Sequence, residues 1–311
     1  MCDNAIDTAQ HPPSLLERTN PLPSDGMIEF DPGPHTYTWK ANGLCQTIQT
    51  SVTKMLKNYW PEFDNVQIIK DNFDNWRAQK NGKYAALIQY LMLVEGRDET
   101  YCKEAIAKLW HANGVSSATA GTAMHADFQA IVEQWPISHE TLETRMFKHW
   151  LYEFCKENNC APFRSEWLIH LSDNETSIVA GQVDLVLKHR EKDLFIGIDY
   201  KRTDPTPKYH RGPRNLLHPT QKNISGETGL GPFANLEATE FNKYSAQLNA
   251  YGYIAATNYG IDFRDRMLLV QVHPNLTSVH AVRVPRLDDE MNALFGIEIF
   301  NAKQNATGTT F

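Results

Sequence analysis

Two aspartates and a lysine set the chemistry open to this chain. Asp199 and Lys201 lie two residues apart in an apolar run, Asp193–Lys201. Period-two geometry places them with Gly197 on one face and Ile196, Ile198 and Tyr200 on the other. In the preceding run, Ile178–Lys188, Asp184 shares a face with Gln182 and Val186, while Val183, Leu185 and Leu187 take the opposite side. The residues His189–Asp193 between the runs read as a hairpin turn that brings Asp184 near Asp199. Adjacent carboxylates repel and raise a pKa unless a cation lies between them. Such hard oxygen donors suit Mg²⁺ or Mn²⁺. A metal held there polarises a phosphoryl oxygen and acidifies a bound water, and a lysine offsets charge developing on phosphorus. Phosphodiester hydrolysis needs this combination.

Further side chains converge on the same chemistry. In the helix predicted to open at Ala118, His125 shares a face with Phe128 and Val132, and Gly121 leaves room for an approaching ion. Gln247 and Tyr251 are four apart on a second helix and can reach one ligand. Taken singly, each fits an ordinary core histidine, a surface Asp–Lys pair or a helix face; together they point to a site.

The elements that must carry these residues follow from periodicity. Helices are predicted to end near Pro136 and to cover Leu142–Asn158, followed by strands at Ser165–Leu171, Ile178–Lys188 and Asp193–Lys201. A helix at Tyr244–Asn258, capped by Gly260, precedes a strand at Met267–Val272, a possible strand at Val279–Val284 and a closing helix at Asp288–Phe300. Helix, three strands, helix, strand is an α/β core, a central sheet with helices on it and an insertion over 202–240. Upstream, 1–26 reads as a flexible tail and 27–110 as a strand at His35–Trp39 plus a mainly helical region; the core spans 111–300 and 301–311 is a second tail. Trp60, Phe63, Trp76 and Trp110 in the helical region are available for base stacking, although core packing explains each equally.

Bulk properties narrow the class. At 311 residues the chain can bury a full core. No apolar run approaches a membrane span, and the acidic N-terminus resembles neither a secretory signal nor a mitochondrial presequence. Five cysteines without a CxxC pair suggest reduced thiols in an intracellular compartment, and no cluster follows Cys160 to hold iron–sulfur. The net charge of −7 excludes a generic nucleic-acid coat but not a nuclease with a local basic face. Between Lys201 and Lys222 the bases Arg202, Lys208, Arg211 and Arg214 face a single acid, Asp204, making this segment the candidate for phosphate contact.

In order, the chain reads Gly121-Thr122-x-x-His125, Glu166, Gly181-x-x-Asp184, Asp199-x-Lys201 and Gln247-x-x-x-Tyr251. This pattern resembles the PD-(D/E)xK nuclease superfamily, in the branch of RecB-type domains and the mitochondrial genome maintenance exonuclease, over roughly residues 110–275. Trp110-x-x-Asn113-Gly114 and Val272-His273-Pro274 are similar to members from large DNA viruses and protists. The resemblance implies a restriction-endonuclease-like αβββαβ core. It implies His125, Asp184, Asp199 and the Tyr200 carbonyl as metal ligands, Lys201 as catalytic lysine and Glu166 as a supporting acid. Gln247 and Tyr251 would steady the lysine and the DNA backbone, and Thr122 would fix a helix start or touch phosphate. The chain departs from many relatives in having Gln129, not glutamate, four residues after the histidine.

The implied activity is a DNA exonuclease favouring single-stranded ends, in replication, recombination or repair. A structure-selective endonuclease, an RNA-cleaving enzyme and a non-catalytic nucleic-acid-binding module are the alternatives. An iron oxygenase built on His125-Ala126-Asp127 is disfavoured, because Asp127 points away from His125 on a helix. There is no GxxxxGK[ST] loop, so unwinding would fall to a partner helicase or replication or recombination protein.

Overall fold

The computed structural model describes residues 14–307 apart from positions 42, 49, 138, 173–176, 206–215 and 224–225. Its centre is a five-stranded mixed sheet, in the order β4 (Cys160–Ser172), β5 (Ser177–His189), β6 (Phe195–Lys201), β7 (Met267–Gln271) and β8 (His280–Arg283). The first three strands form an antiparallel meander; β7 runs parallel to β6, and β8 returns antiparallel at the edge. The parallel step requires a crossover, supplied by α7 (Glu240–Tyr259), which Thr239 caps and Gly260 ends at φ +67°.

Each face of the sheet buries a cluster. Val183, Val186, Leu248, Tyr251, Phe263 and Leu269 pack on the side of α7 and of α8 (Asp288–Thr307). Leu185, Ile198, Tyr200 and Val270 pack on the other side against Met124, Phe128 and Phe147, from α5 (Glu99–Val132) and α6 (Leu142–Glu157). The chain is therefore mixed α/β, with the predicted helix, strand, strand, strand, helix, strand order around a sheet flanked by helices. One detail of the alternation differs. Val183 packs on the opposite side from Leu185 and Leu187, and the change of face falls at Asp184, across from Glu166, whose backbone is left-handed at φ +47°.

The region before the core is not the single strand and helical stretch expected for 27–110. It holds a three-stranded antiparallel sheet of β1 (Ile28–Asp31), β2 (Thr36–Ala41) and β3 (Leu44–Ile48), whose Tyr37, Trp39 and Ile48 pack with Ala180. Asp31-Pro32-Gly33-Pro34 is the turn of the first hairpin. α2 (Val52–Lys57) follows, capped by Ser51. Chain contacts divide the protein at 61/62 and 123/124 into a unit of 1–61 with 124–311 and a helical unit of 62–123, in place of a boundary at 110. The helical unit contains α3 (Asn65–Ala78), α4 (Ala85–Gln89), a π-helical turn at Tyr90–Val94 and the first part of α5. Its core is Ile69, Phe73, Ile88, Cys102 and Ile106. Trp76 and Trp110 pack beside Tyr84 there, and Phe63 is exposed; Trp60 stacks on Phe233 in the other unit.

The terminal tails also need correction. Residues 14–26 hold α1 (Leu15–Thr19), and Glu133, 2% exposed, accepts hydrogen bonds from Ser14 Oγ and from the Leu15 and Leu16 amides. Arg164, 1% exposed, donates to the Leu16 and Asn20 carbonyls and pairs with Asp25 at 3.2 Å. At the other end, α8 continues to Thr307. Within the 202–240 insertion, Leu217 and Phe233 are fully buried, the latter beside a 3₁₀ turn at Gly231–Phe233. Cys102, Cys155 and Cys160 are free thiols, whereas Cys45 is disulfide-bonded, so the expectation of reduced thiols fails for it. Among the described residues no helix is long and apolar enough to cross a membrane.

Candidate metal centre

Three elements bring His125, Glu166 and Asp184 together. Each side chain offers one ligand atom, and these atoms lie within 4.8 Å of one another. His125 comes from α5, Glu166 from the middle of β4 and Asp184 from β5, where Ser165↔Leu185 and Trp167↔Val183 pair on either side of the two acids. His125 Nδ1 stands 3.4 Å from Glu166 Oε1 and 3.5 Å from Asp184 Oδ1. Burial opposes a charge on His125, but Asp184 and Glu166 outweigh it and push its pKa up to about 9. Burial raises the pKa of Asp184, while His125 and a 2.6 Å hydrogen bond from the Tyr200 amide favour its carboxylate.

Glu166 is the residue that sequence placed least well. Its φ of +47° lies in the left-handed region, which costs a non-glycine residue about 1–2 kcal/mol. Gln182 Nε2 donates to its carbonyl at 3.3 Å. The supporting acid of the sequence reading is a full member of the group that could hold a metal ion. Nothing in residue type or spacing announces the left-handed backbone that aims it there.

Asp199 stands beside this group, not in it. It is 1% exposed and pairs with Lys201, whose Nζ is 2.7 Å from Oδ2; the approach lacks hydrogen-bond geometry, and both carboxylate oxygens are otherwise without a hydrogen-bond donor. Burial pushes the Asp199 pKa up to about 6, against the pull of Lys201. Burial also works against the Lys201 charge, but Asp199 and Asp184 raise its pKa. One imidazole nitrogen and two carboxylate oxygens gathered within 4.8 Å of one another are a donor set that a divalent cation satisfies. His125, Glu166 and Asp184 would hold it, with Asp199 adjacent; the mixture of imidazole nitrogen and carboxylate oxygen accommodates Mn²⁺ as well as Mg²⁺.

The predicted support for the lysine is in place. Lys201 Nζ donates to Gln247 Oε1 at 3.4 Å, and Gln247 Nε2 donates to the Tyr251 hydroxyl at 3.0 Å. Gly181 admits the Tyr251 ring, because a Cβ there would lie 2.5 Å from Tyr251 Cε1. Tyr244 was missed: its ring centroid is 4.6 Å from Lys201 Nζ. Its place one turn before Gln247 was a readable signal. Tyr37, from the unexpected sheet, was missed as well. Burial and the Glu166 charge push its pKa up to about 12.

Thr122 does not start a helix: α5 runs unbroken through it, and its Oγ1 donates to the Ala118 carbonyl of the same helix. A Cβ at Gly121 would meet nothing within 4 Å, so the space beside it is open. Arg202 is paired with Glu143 at 3.1 Å. Tyr200 takes part through its amide, and its ring packs against Phe128 and Phe147. Lys208, Arg211 and Arg214 lie outside the described residues. The chain matches no protein-family profile, and no curated protein matches it.

Proposed function

We propose that the chain is a divalent-metal-dependent nuclease that hydrolyses DNA, with single-stranded ends as its preferred substrate. The observation that carries this reading is the His125–Glu166–Asp184 group beside the buried Lys201–Asp199 pair. A Mg²⁺ or Mn²⁺ ion there supplies Lewis acidity toward a phosphoryl oxygen and acidifies water. Asp184 is oriented by the Tyr200 amide, which fixes one oxygen and leaves the other toward His125. Lys201 is held by Asp199, Gln247 and the Tyr244 ring, and its raised pKa keeps it cationic where negative charge develops on phosphorus. The low water access around these side chains strengthens each of those interactions.

The preference for ends rests on the resemblance of the Gln247–Tyr251 pair to exonuclease motifs, and the role in replication, recombination or repair rests on the same ground. A helicase partner would supply the unwinding. Purified protein incubated with linear and with covalently closed circular single strands, with and without Mg²⁺, tests the reading. Metal-dependent loss of the linear strand alone is expected, abolished in Asp184→Ala and Lys201→Ala with the fold preserved. Degradation of the circle refutes end dependence, and undiminished cleavage in both variants refutes the site.

A further inference from the structure

Away from the metal centre, α6 and β4 meet at a pair of thiols. Cys155 is on the last turn of α6 and Cys160 opens β4, five residues later, and both side chains pack in the same apolar cluster. Cys160 is fully buried, while Cys155 is partly exposed and lines a surface cavity of about 540 Å³. Three cations line the same cavity, Lys148, Lys156 and Arg190, together with Asn159 and no acidic residue. Lys148 is paired with Glu140 at 3.3 Å, but among the described residues Lys156 and Arg190 have no carboxylate at ion-pair distance. The Arg190 amide donates to the Asn159 carbonyl at 2.9 Å, which ties the β5 end to the loop between the two cysteines.

We propose that Cys155 and Cys160 are an oxidisable dithiol, and that the cationic cavity admits an anionic disulfide of the glutathione class to Cys155. A partly exposed sulfur beside cations, backed by a second thiol, is the arrangement of a reactive and a resolving cysteine. Cys160 and burial raise the pKa of Cys155, and Arg190 opposes them by favouring a thiolate at either sulfur, so access through the cavity is what singles out Cys155.

The exchange balances. Cys155 loses its proton to solvent and attacks one sulfur of glutathione disulfide; the S–S bond breaks, and one glutathione thiolate leaves and is protonated. Cys160 then loses a proton to solvent and attacks the Cys155 sulfur, expelling the second glutathione thiolate. Two protein thiols are oxidised to one disulfide, and one glutathione disulfide is reduced to two thiols. The final bond is about 2.05 Å long, so the turn between α6 and β4 must let the two sulfurs close to that distance.

Full-length protein is incubated with glutathione disulfide, or with cystamine as a cationic disulfide, and mapped by peptide mass spectrometry. An internal Cys155–Cys160 disulfide is expected in the wild type, and one glutathione trapped on Cys155 in Cys160→Ala. Cys102, fully buried, stays unmodified and reports on folding. Arg190→Glu is expected to slow the glutathione reaction about fivefold or more and to accelerate the cystamine reaction, the sign set by Coulomb attraction. A general loosening of the fold would instead speed both reagents, and that result overturns the role of the cavity. Absence of disulfide and adduct, in protein whose Cys155 is alkylated by iodoacetamide, overturns the dithiol.

Discussion

Replacing Gly181 by alanine tests whether the glycine exists to seat Tyr251. The added Cβ would stand 2.5 Å from Tyr251 Cε1, 3.2 Å from Cδ1 and 3.3 Å from Val52 Cγ2. Carbon atoms rest about 3.5–4.0 Å apart, so the ring must retreat by about 1 Å. Its hydroxyl is 3.0 Å from Gln247 Nε2 and would pass beyond hydrogen-bond range, releasing the amide that steadies Lys201. Overpacking of this kind costs about 1–3 kcal/mol. A displacement near 1 Å in a catalytic group costs about 10²-fold in rate. Urea unfolding gives the first quantity and Mg²⁺-dependent cleavage of a single-stranded oligonucleotide the second. Adding Gly181→Ala to Tyr251→Ala should recover most of the stability loss attributed to the clash, as a coupling in a double-mutant cycle. Gly121→Ala, whose Cβ meets nothing, serves as the control. Native stability and full activity in Gly181→Ala would refute the packing argument outright.

Other outcomes follow from single residues. Tyr244→Leu should lower kcat about fivefold by removing a half-buried cation–π contact of about 1 kcal/mol, while Tyr244→Phe keeps the ring and stays near wild type; steady-state kinetics on both variants decide it. Glu166→Gly should be more stable than Glu166→Ala by about 1 kcal/mol, reversing the usual strand order, because only glycine adopts φ +47° without strain. Both variants should bind Mn²⁺ more weakly in calorimetry. Burial lowers the pKa of His170 from 6.5 to about 4, so the unfolded chain binds its proton first as pH falls. Its contribution is constant above pH 6.5, and stability declines from there down to pH 4 by about 3 kcal/mol; urea midpoints across that window should lose this part of the slope in His170→Gln.

The core was legible where one physical rule dominates. Period-two alternation located β4, β5 and β6, and the polar run His189–Asp193 marked their hairpin, because a half-buried meander writes its faces into the chain. Asp199 with Lys201, and Gln247 with Tyr251, could each be paired from spacing, since each sits on a regular element; joining the two pairs rested on the family resemblance. Glu166 could not be ranked correctly, because its direction depends on one left-handed residue within a strand. The small N-terminal sheet was hidden by Asp31-Pro32-Gly33-Pro34, which punctuates a hairpin as readily as it ends a strand. A helix start at Ala118 was inferred from small residues that instead continue α5. Charge counting favoured Arg202 for phosphate, whereas its partner Glu143 lies 59 positions upstream, beyond any local pattern.

The amino-terminal segment gives the candidate metal centre a remote dependency. Arg164 precedes Glu166 by two residues on β4, and Glu133 follows the helix that delivers His125; both satisfy their charges or hydrogen bonds through residues 14–25. Proteolytic clipping just ahead of Met27 would strand a guanidinium and a carboxylate in a dry interior, a penalty of about 3–5 kcal/mol for the cation alone. Loss of this stretch would thus unseat two of the three side chains that could hold a metal ion.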